Sequence, residues 1–519
     1  MSPERGASEQ SFQQTADVLV VGAGGAGLAA AIMARDQGAS VMLLEANHDI
    51  GGHAMLSGGR IPLGGGTSLQ RKYGIEDSAD QVYLDHTNHR VPIFRQADRD
   101  LVRVWADENA PTMEFLIDNG VLFEDAPPEI VNDGTVPRLF RTKRFSDDLN
   151  DTIAGRPGSG LARRLERSAR AKGVTILLNH KLTRILREGP LSGRVLGISA
   201  STPEGEVRVG ARNGVILATG GHTSNVAFRR MLDPRLTEEY QTAGEPWTGQ
   251  DGEGEMLAME VGAALLGGGN QANGPGPVIS KTLHVGCRYG YRNLQWDPKS
   301  PIFERCGASG LTVKDFQDVV LVNQVGQRFW NELDDSYDFI SACLGSNGNL
   351  GKNGRKANGG GPIWAIFDAQ ACKREGWDPS PPHVDFNGWF FKANTVGELA
   401  AKIVNPYQFE PLPAAALEDS LGRYNSFVGA GCDGDFGKPG PKYKVQTPPF
   451  YAAWSTPILH DSVTGLNVDP KCRVLDTRAQ VIPGLYCAGE SAGGFALHGL
   501  PRVLVFGRIA GREAALARA

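Results

Sequence analysis

The clearest hydrophobic pattern lies near the start of the chain. An apolar run over residues 16–21, interrupted by Asp17, ends in a glycine cluster; an alanine-rich stretch reaches Ala34, and Gly38 precedes a second apolar run over 41–44. A β-rich run, a turn, a helix-length segment and a second buried run predict one complete βαβ unit. Residues 16–34 approach the roughly 20 residues of a membrane span, but four glycines and the adjacent Asp17 favour the strand–turn–helix reading, and no membrane span is expected. Further on, Leu161, Leu165 and Ala169 mark an amphipathic helix followed by a strand reaching Leu186, and GVILATGG at 214–221 predicts another buried strand. From about residue 266 to 446 the texture changes to Gly, Pro, Asn and aromatic clusters, which predicts a loop-rich insertion. The ending returns to strand, glycine turn and alanine-rich helix. Parallel strands need both faces covered, so the expected fold is α/β: a Rossmann-like dinucleotide-binding domain with an inserted α+β cap. Its expected parts are a mobile polar head at 1–15, the first part of the sheet domain at 16–270, the cap at 271–446, and the closing part at 447–519.

Composition narrows the function. The 519 residues suit a two-domain enzyme. Lys and Arg number 53 against 58 Asp and Glu, a formal charge of -5, which lacks the basic excess that nucleic-acid partners require. Seven cysteines form no C-x-x-C pair, so no cysteine-held metal or cluster is expected, and reduced thiols in a cytoplasmic protein are. Glycine is the outlier at 67 residues, about an eighth of the chain against a usual share of about 7%. Such a bias points to loops that approach a ligand closely.

Gly22, Gly24 and Gly27, with Gly25 between them, form G-x-G-x-x-G between the first strand and the first helix. This pattern supplies a tight turn, room for a diphosphate, and close helix–strand packing. Glu45 follows 23 residues after Gly22, where a carboxylate can accept from a ribose diol and would repel a 2'-phosphate; Ala46 follows it. FAD and NAD both fit to this point. Additional glycine-ended segments favour a long flavin dinucleotide: 50–59, with Gly52, His53, Ser57, Gly58 and Gly59; A-T-G-G with Ala218, Thr219 and Gly220; and G-L-Y-C-A-G-E with Gly489 and Glu490. Leu182, in the strand after the amphipathic helix, joins this set.

These segments, with LVNQVGQRFWNE at 321–332, RYNSFVGAGCDGDFGKP at 423–439 and LVFGRIAG at 504–511, resemble the flavoprotein family of fumarate reductases, succinate dehydrogenases and 3-ketosteroid dehydrogenases over nearly the whole chain. The resemblance implies bound FAD, with Glu490 near its ribityl chain and the amides of Gly499 and Leu500 at the flavin pyrimidine. Succinate dehydrogenases tether FAD through a histidine six residues before the second G-G; here that position is Gly52, so non-covalent FAD is expected. In fumarate reductases an arginine lies four residues after the Asn–Glu pair; Ser336 stands there, followed by Tyr337. Ketosteroid dehydrogenases place a tyrosine one residue earlier than Tyr337, which makes Tyr337 the first choice as proton handler. His460 matches a substrate-binding histidine of the fumarate-type segment, with Asp461 beside it, and His498 precedes the flavin-facing amides. Arg502 falls in a different register from the family's carboxylate-binding arginine. The expected activity is FAD-dependent dehydrogenation or ene reduction of a CH–CH bond beside a carbonyl, on a ketone or cyclic enone. An unsaturated carboxylate bound by His460, Arg502 or Arg292 is the alternative, and a flavin electron-transfer subunit the third. The implied partners are a small carbonyl substrate and an electron donor or acceptor that the sequence does not identify.

Overall fold

In the computed structural model the described residues are 11–87, 97–130, 134–146, 157–245, 247–267, 277–288, 310–345, 357–408, 410–495 and 499–517. The βαβ unit is present as strand Gln14–Val21, helix Gly25–Asp36 and strand Val41–Leu44. The main sheet runs in the order Arg473–Leu475, Val481–Cys487, Gly205–Leu217, Gln14–Val21, Val41–Leu44, Thr175–Leu177, and Val195–Thr202 and Lys181–Arg187 extend it from Gly205–Leu217. Its central pairings are parallel, and Val41–Leu44 is buried at every position, as a strand covered on both faces must be. The first strand starts inside the expected polar head, because Gln14 and Thr15 continue the pairing opposite Val209 and Gly210. The stretch expected as one strand after helix Pro157–Ala171 is two, Thr175–Leu177 and Lys181–Arg187, with Asn179 at φ 57° in the break.

The chain's last helix, Leu500–Leu516, returns to pack on its first. A Cβ at Gly507 or Gly511 would meet the carbonyl oxygens of Ala26 and Ala30 at 2.4 and 2.2 Å. Both glycines are therefore required for this backbone approach. One hydrophobic core spans the sheet domain, drawing on residues between Ala16 and Ala263 and between Leu466 and Ala514.

The described part of the intervening body contains regular structure, and most of the glycine- and asparagine-rich runs expected as loops lie outside the described residues. Strands Val320–Val322, Trp364–Asp368, Phe450–Trp454 and Phe390–Ala393 make a four-stranded antiparallel sheet with a separate core on each face. Phe450–Trp454 lies past the boundary expected at 446 and, among the described residues, pairs with strands of this sheet. A three-stranded sheet, Pro277–Ser280, Ile458–Ser462 and Gln241–Thr242, joins segments from both sides of the insertion.

Candidate active site

A cavity of about 710 Å³ runs along the carboxyl end of the central strands, where ligands of open α/β sheets bind. Four chain segments converge on it through backbone bonds. Gly22 N–H donates to Leu44 O (2.7 Å), Gly51 N–H to Ala23 O (2.8 Å), Ala218 N–H to Val21 O (2.8 Å) and Ala488 N–H to Leu217 O (2.9 Å). Gly22 turns at φ 100°, and a Cβ there would lie against the Ala218 carbonyl. Gly22, Gly24, Gly25, Glu45, Ala46, Gly52, His53, Ser57, Gly58, Leu182, Ala218, Thr219, Gly220, Gly489, Glu490, Gly499 and Leu500 all line the cavity.

Two anticipated residues do not line it. Gly27 is packed into the helix–strand contact, where a Cβ would stand 1.8 Å from Gly22 O, and Gly59, at φ 63°, sits against Thr142 and Pro157. Their part is to let the backbone pack.

Two helices point uncapped N-termini at the cavity. Helix Gly25–Asp36 begins at Gly24 and helix Leu500–Leu516 at Gly499, neither with a side-chain cap, and the second carries Pro501 in its first turn. Amides left without partners at a helix start, together with its dipole, form an anion site. At the Glu45 end, the carboxylate accepts from Ala23 N–H (2.7 Å) and Asn47 N–H (2.9 Å), and burial pushes its pKa up. Asn47 donates to Trp247 O (2.9 Å), and Lys181 pairs with Asp251 and Glu253 at 3.2 Å each. Asn47, His180, Lys181, Trp247 and Gln250 also line this region but were not singled out from sequence. The run TGQDGEG at 248–254, a glycine-rich turn before helix Glu253–Glu260, was a signal that could have marked part of it.

Toward the cap, the cavity is lined by His53, His460, Asp461 and Glu490. His460 is the extra residue of a β-bulge: Val278 pairs with Asp461 and Ile279 with Leu459, which leaves His460 between them. Strand alternation would send neighbouring side chains to opposite faces; the bulge lets both His460 and Asp461 reach the cavity. Asp461 Oδ2 lies 2.9 Å from His460 Nδ1, and Ser280 Oγ lies 2.8 Å from His460 Nε2. Glu490 accepts from Gln250 Nε2 (2.6 Å) and is hydrogen-bonded to Asp461; burial first, then the Asp461 charge, drives its pKa well above the carboxylate range. Burial lowers the pKa of His53, whose ring is bonded to the backbone of Ala243 and His460. Polar atoms of His53, Asp461 and Glu490 lie within 4.8 Å of one another.

Arg502 is fully buried and donates to the carbonyls of Ser462 (2.8 Å) and Ala492. Its guanidinium thus braces the walls behind Glu490. Tyr337 begins helix Tyr337–Leu344, but its side chain, like all of His498 and Arg292, lies outside the described residues.

A parallel sheet with a glycine-walled cavity, two anion-seeking helix starts and a titratable cluster at one end defines a dinucleotide-dependent oxidoreductase. The chain matches the model of the FAD binding domain family over residues 17–501 and belongs to that family. It is an FAD-dependent oxidoreductase. Urocanate reductase of Eggerthella lenta is 28% identical over 515 residues, covering 96% of this chain and 74% of that protein. Among solved structures, the open conformation of a flavocytochrome c3 fumarate reductase superposes with a TM-score of 0.70 at 25% identity, over 97% of this chain and 79% of that one. A 3-ketosteroid-Δ4-(5α)-dehydrogenase from Rhodococcus jostii RHA1 shares the fold, with a TM-score of 0.61 at 24% identity over 98% of both chains. Among the described residues no helix is long and apolar enough to cross a membrane.

Proposed function

We propose that this enzyme acts on a carbon–carbon double bond, or the corresponding single bond, conjugated to a carbonyl or carboxyl group. FAD, when bound, supplies hydride chemistry at one carbon, and the protein must handle a proton at its neighbour. The observation that carries this reading is the His53–His460–Asp461–Glu490 cluster in the same cavity as the uncapped start of helix Leu500–Leu516. An uncapped helix start is the device that favours negative charge on a reduced flavin ring. The names of the relatives, urocanate reductase and fumarate reductase, favour an unsaturated acid as acceptor.

In this reading Gly22, Gly24 and Gly25 approach the diphosphate, with Gly27 shaping the turn. Glu45 and Ala46 meet the adenosine ribose, with Leu182 beside it. Gly52, His53, Ser57, Gly58, Ala218, Thr219, Gly220, Gly489 and Glu490 flank the chain toward the ring, with Gly59 bending the wall, and the Gly499 and Leu500 amides face the pyrimidine. FAD is held without a covalent bond, because Gly52 occupies the tethering position and the His53 ring is bonded to backbone. Tyr337 is kept as a proton handler on sequence position alone.

A ketone or enone acceptor is the second reading, favoured by two observations. Ser336 replaces the family's arginine, and the Asp461 carboxyl beside His460 opposes a second anion there. The test is anaerobic reduction with dithionite, then addition of urocanate, fumarate or acrylate against 2-cyclohexenone or 4-androstene-3,17-dione. Return of the oxidised-flavin spectrum with an acid supports the first reading and with a ketone the second; reoxidation by neither group rejects both.

A further inference from the structure

An unsaturated acid needs a cation to hold its carboxylate. Ser336 stands at one family arginine position, and Arg502, out of register with the other, donates to the carbonyls of Ser462 and Ala492. Among the described residues two Lys or Arg side chains line the cavity, Arg60 and Lys181. Lys181 is paired with Asp251 and Glu253. Arg60 is exposed, and no group among the described residues hydrogen-bonds or ion-pairs with its guanidinium. Strand Arg60–Pro62 pairs antiparallel with Leu139–Arg141, Arg60 opposite Arg141 and Pro62 opposite Leu139. Ile61 and Phe140 are buried in the core, so alternation turns the other four side chains to the opposite face, and from there Arg60, Pro62 and Leu139 line the cavity. Arginines directly opposite one another repel. Glu129 compensates Arg141, at 3.0 Å from Nη2, which leaves the Arg60 charge for the cavity. Helix Leu500–Leu516, whose uncapped start faces the cavity, packs against the same strand.

We propose that Arg60 holds the carboxylate of the acceptor, and that the acceptor is an α,β-unsaturated acid with a single carboxylate. This rests on the reading that the enzyme reduces an unsaturated acid. A planar guanidinium takes a carboxylate through two parallel N–H···O bonds, and Pro62 and Leu139 beside it give apolar contact to the rest of the molecule. The FAD diphosphate is provided for elsewhere, at the start of helix Gly25–Asp36, so Arg60 is left for an anion that is not the cofactor's. With one carboxylate at Arg60 and the double bond at the titratable cluster, a second carboxylate would be carried toward Asp461, whose charge opposes it. Arg60 thus sets both which end of the acid enters and how many charges it carries.

The test mixes dithionite-reduced, FAD-loaded enzyme with acrylate, cinnamate or urocanate, with the primary amide of each, and with fumarate, and follows flavin reoxidation against concentration. Arg60→Gln is expected to raise the half-saturating concentration of the best monoacid by roughly 10- to 100-fold, the range that a hydrogen bond to a charged group supports, with the limiting rate and FAD content kept and the selectivity for acid over amide lowered by the same factor. Arg60→Lys, which keeps the charge and loses the fork, should fall between the two. Fumarate is expected to half-saturate the wild type at a higher concentration than the best monoacid. An unchanged half-saturation in Arg60→Gln, or an equal shift for acid and amide, overturns the assignment, and loss of FAD from the variant gives Arg60 to the cofactor instead. Fumarate bound more tightly than every monoacid overturns the single-carboxylate class. If no acid reoxidises the wild type, the functional reading falls and this proposal with it; if one does and Arg60→Gln handles it as the wild type does, the role of Arg60 alone falls.

Discussion

Replacing Glu332 by Gln puts the cap's buried charge balance to a measurable test. Glu332 accepts from Arg328 Nε and Nη2 at 2.8 Å each, and Lys438 Nζ lies 3.3 Å away; Arg328 also donates to Asp433 at 3.0 Å. All four side chains are buried, two cations against two carboxylates. The cations hold the Glu332 carboxyl at about 2 against an ordinary 4.5, and that difference is worth about 3 kcal/mol of stability at neutral pH. The amide leaves one cation uncompensated and turns an N–H toward Arg328, a class of change that costs about 3–5 kcal/mol. The folded-state pKa is depressed, so the stabilisation is complete above 4.5 and lost as pH falls through about 2; the gap between wild type and Glu332→Gln must narrow over that window. On the alkaline side the gap must also narrow, because burial lowers the Lys438 pKa and its proton leaves more readily once Glu332 is gone. Urea unfolding followed by tryptophan fluorescence reads this directly, since Trp364 and Trp454 sit in the same cap sheet. A gap below about 1 kcal/mol at neutral pH, or one indifferent to pH, refutes the charge argument.

Three further outcomes are expected. Glu45→Arg places a cation at the proposed ribose end and removes the acceptor for Ala23 and Asn47; the desalted protein should lose its flavin absorbance, and full occupancy would contradict the assignment. Gly27→Ala forces a methyl against the Gly22 carbonyl and should cost roughly 3 kcal/mol or more by thermal or urea unfolding. An unchanged midpoint would mean that the turn relaxes freely. Acid precipitation of the purified enzyme should leave all of its flavin in the supernatant; yellow precipitate would reveal a covalent bond and point to His53.

What could be read from sequence was whatever is encoded locally. The G-x-G-x-x-G turn, Glu45 at its spacing and the returning last helix each depend on residues close together in the chain, and the structure sets them around one cavity. The cap's four-stranded sheet was not legible because its strands are short and glycine-rich runs dominate the composition around them. WAIFD at 364–368, buried at every position, was nonetheless legible as an interior strand. His460 was found by resemblance, but its geometry could not be: the bulge exists only because strand Ile458–Ser462 pairs with Pro277–Ser280, 180 residues earlier at the Ser280–His460 contact.

The order of segments along the chain has a physical reason. An uncapped helix start leaves N–H groups that need an acceptor, and two aimed into one cavity would be a liability in a protein without an anionic ligand. Here the two starts come from opposite ends of the chain, Gly24 and Gly499, and their helices are locked together at Gly507 and Gly511. The lock fixes the relative position of the two helix starts while the whole cap is inserted between them. Cap sequence can therefore vary in length and chemistry without moving either start, provided the three-stranded sheet keeps its register. That sheet carries His460, Asp461 and Ser280. On the proposed reading, cofactor binding and substrate choice belong to parts of the fold that meet at this bulge, and a one-residue deletion there would restore strand alternation and turn either His460 or Asp461 away from the cavity.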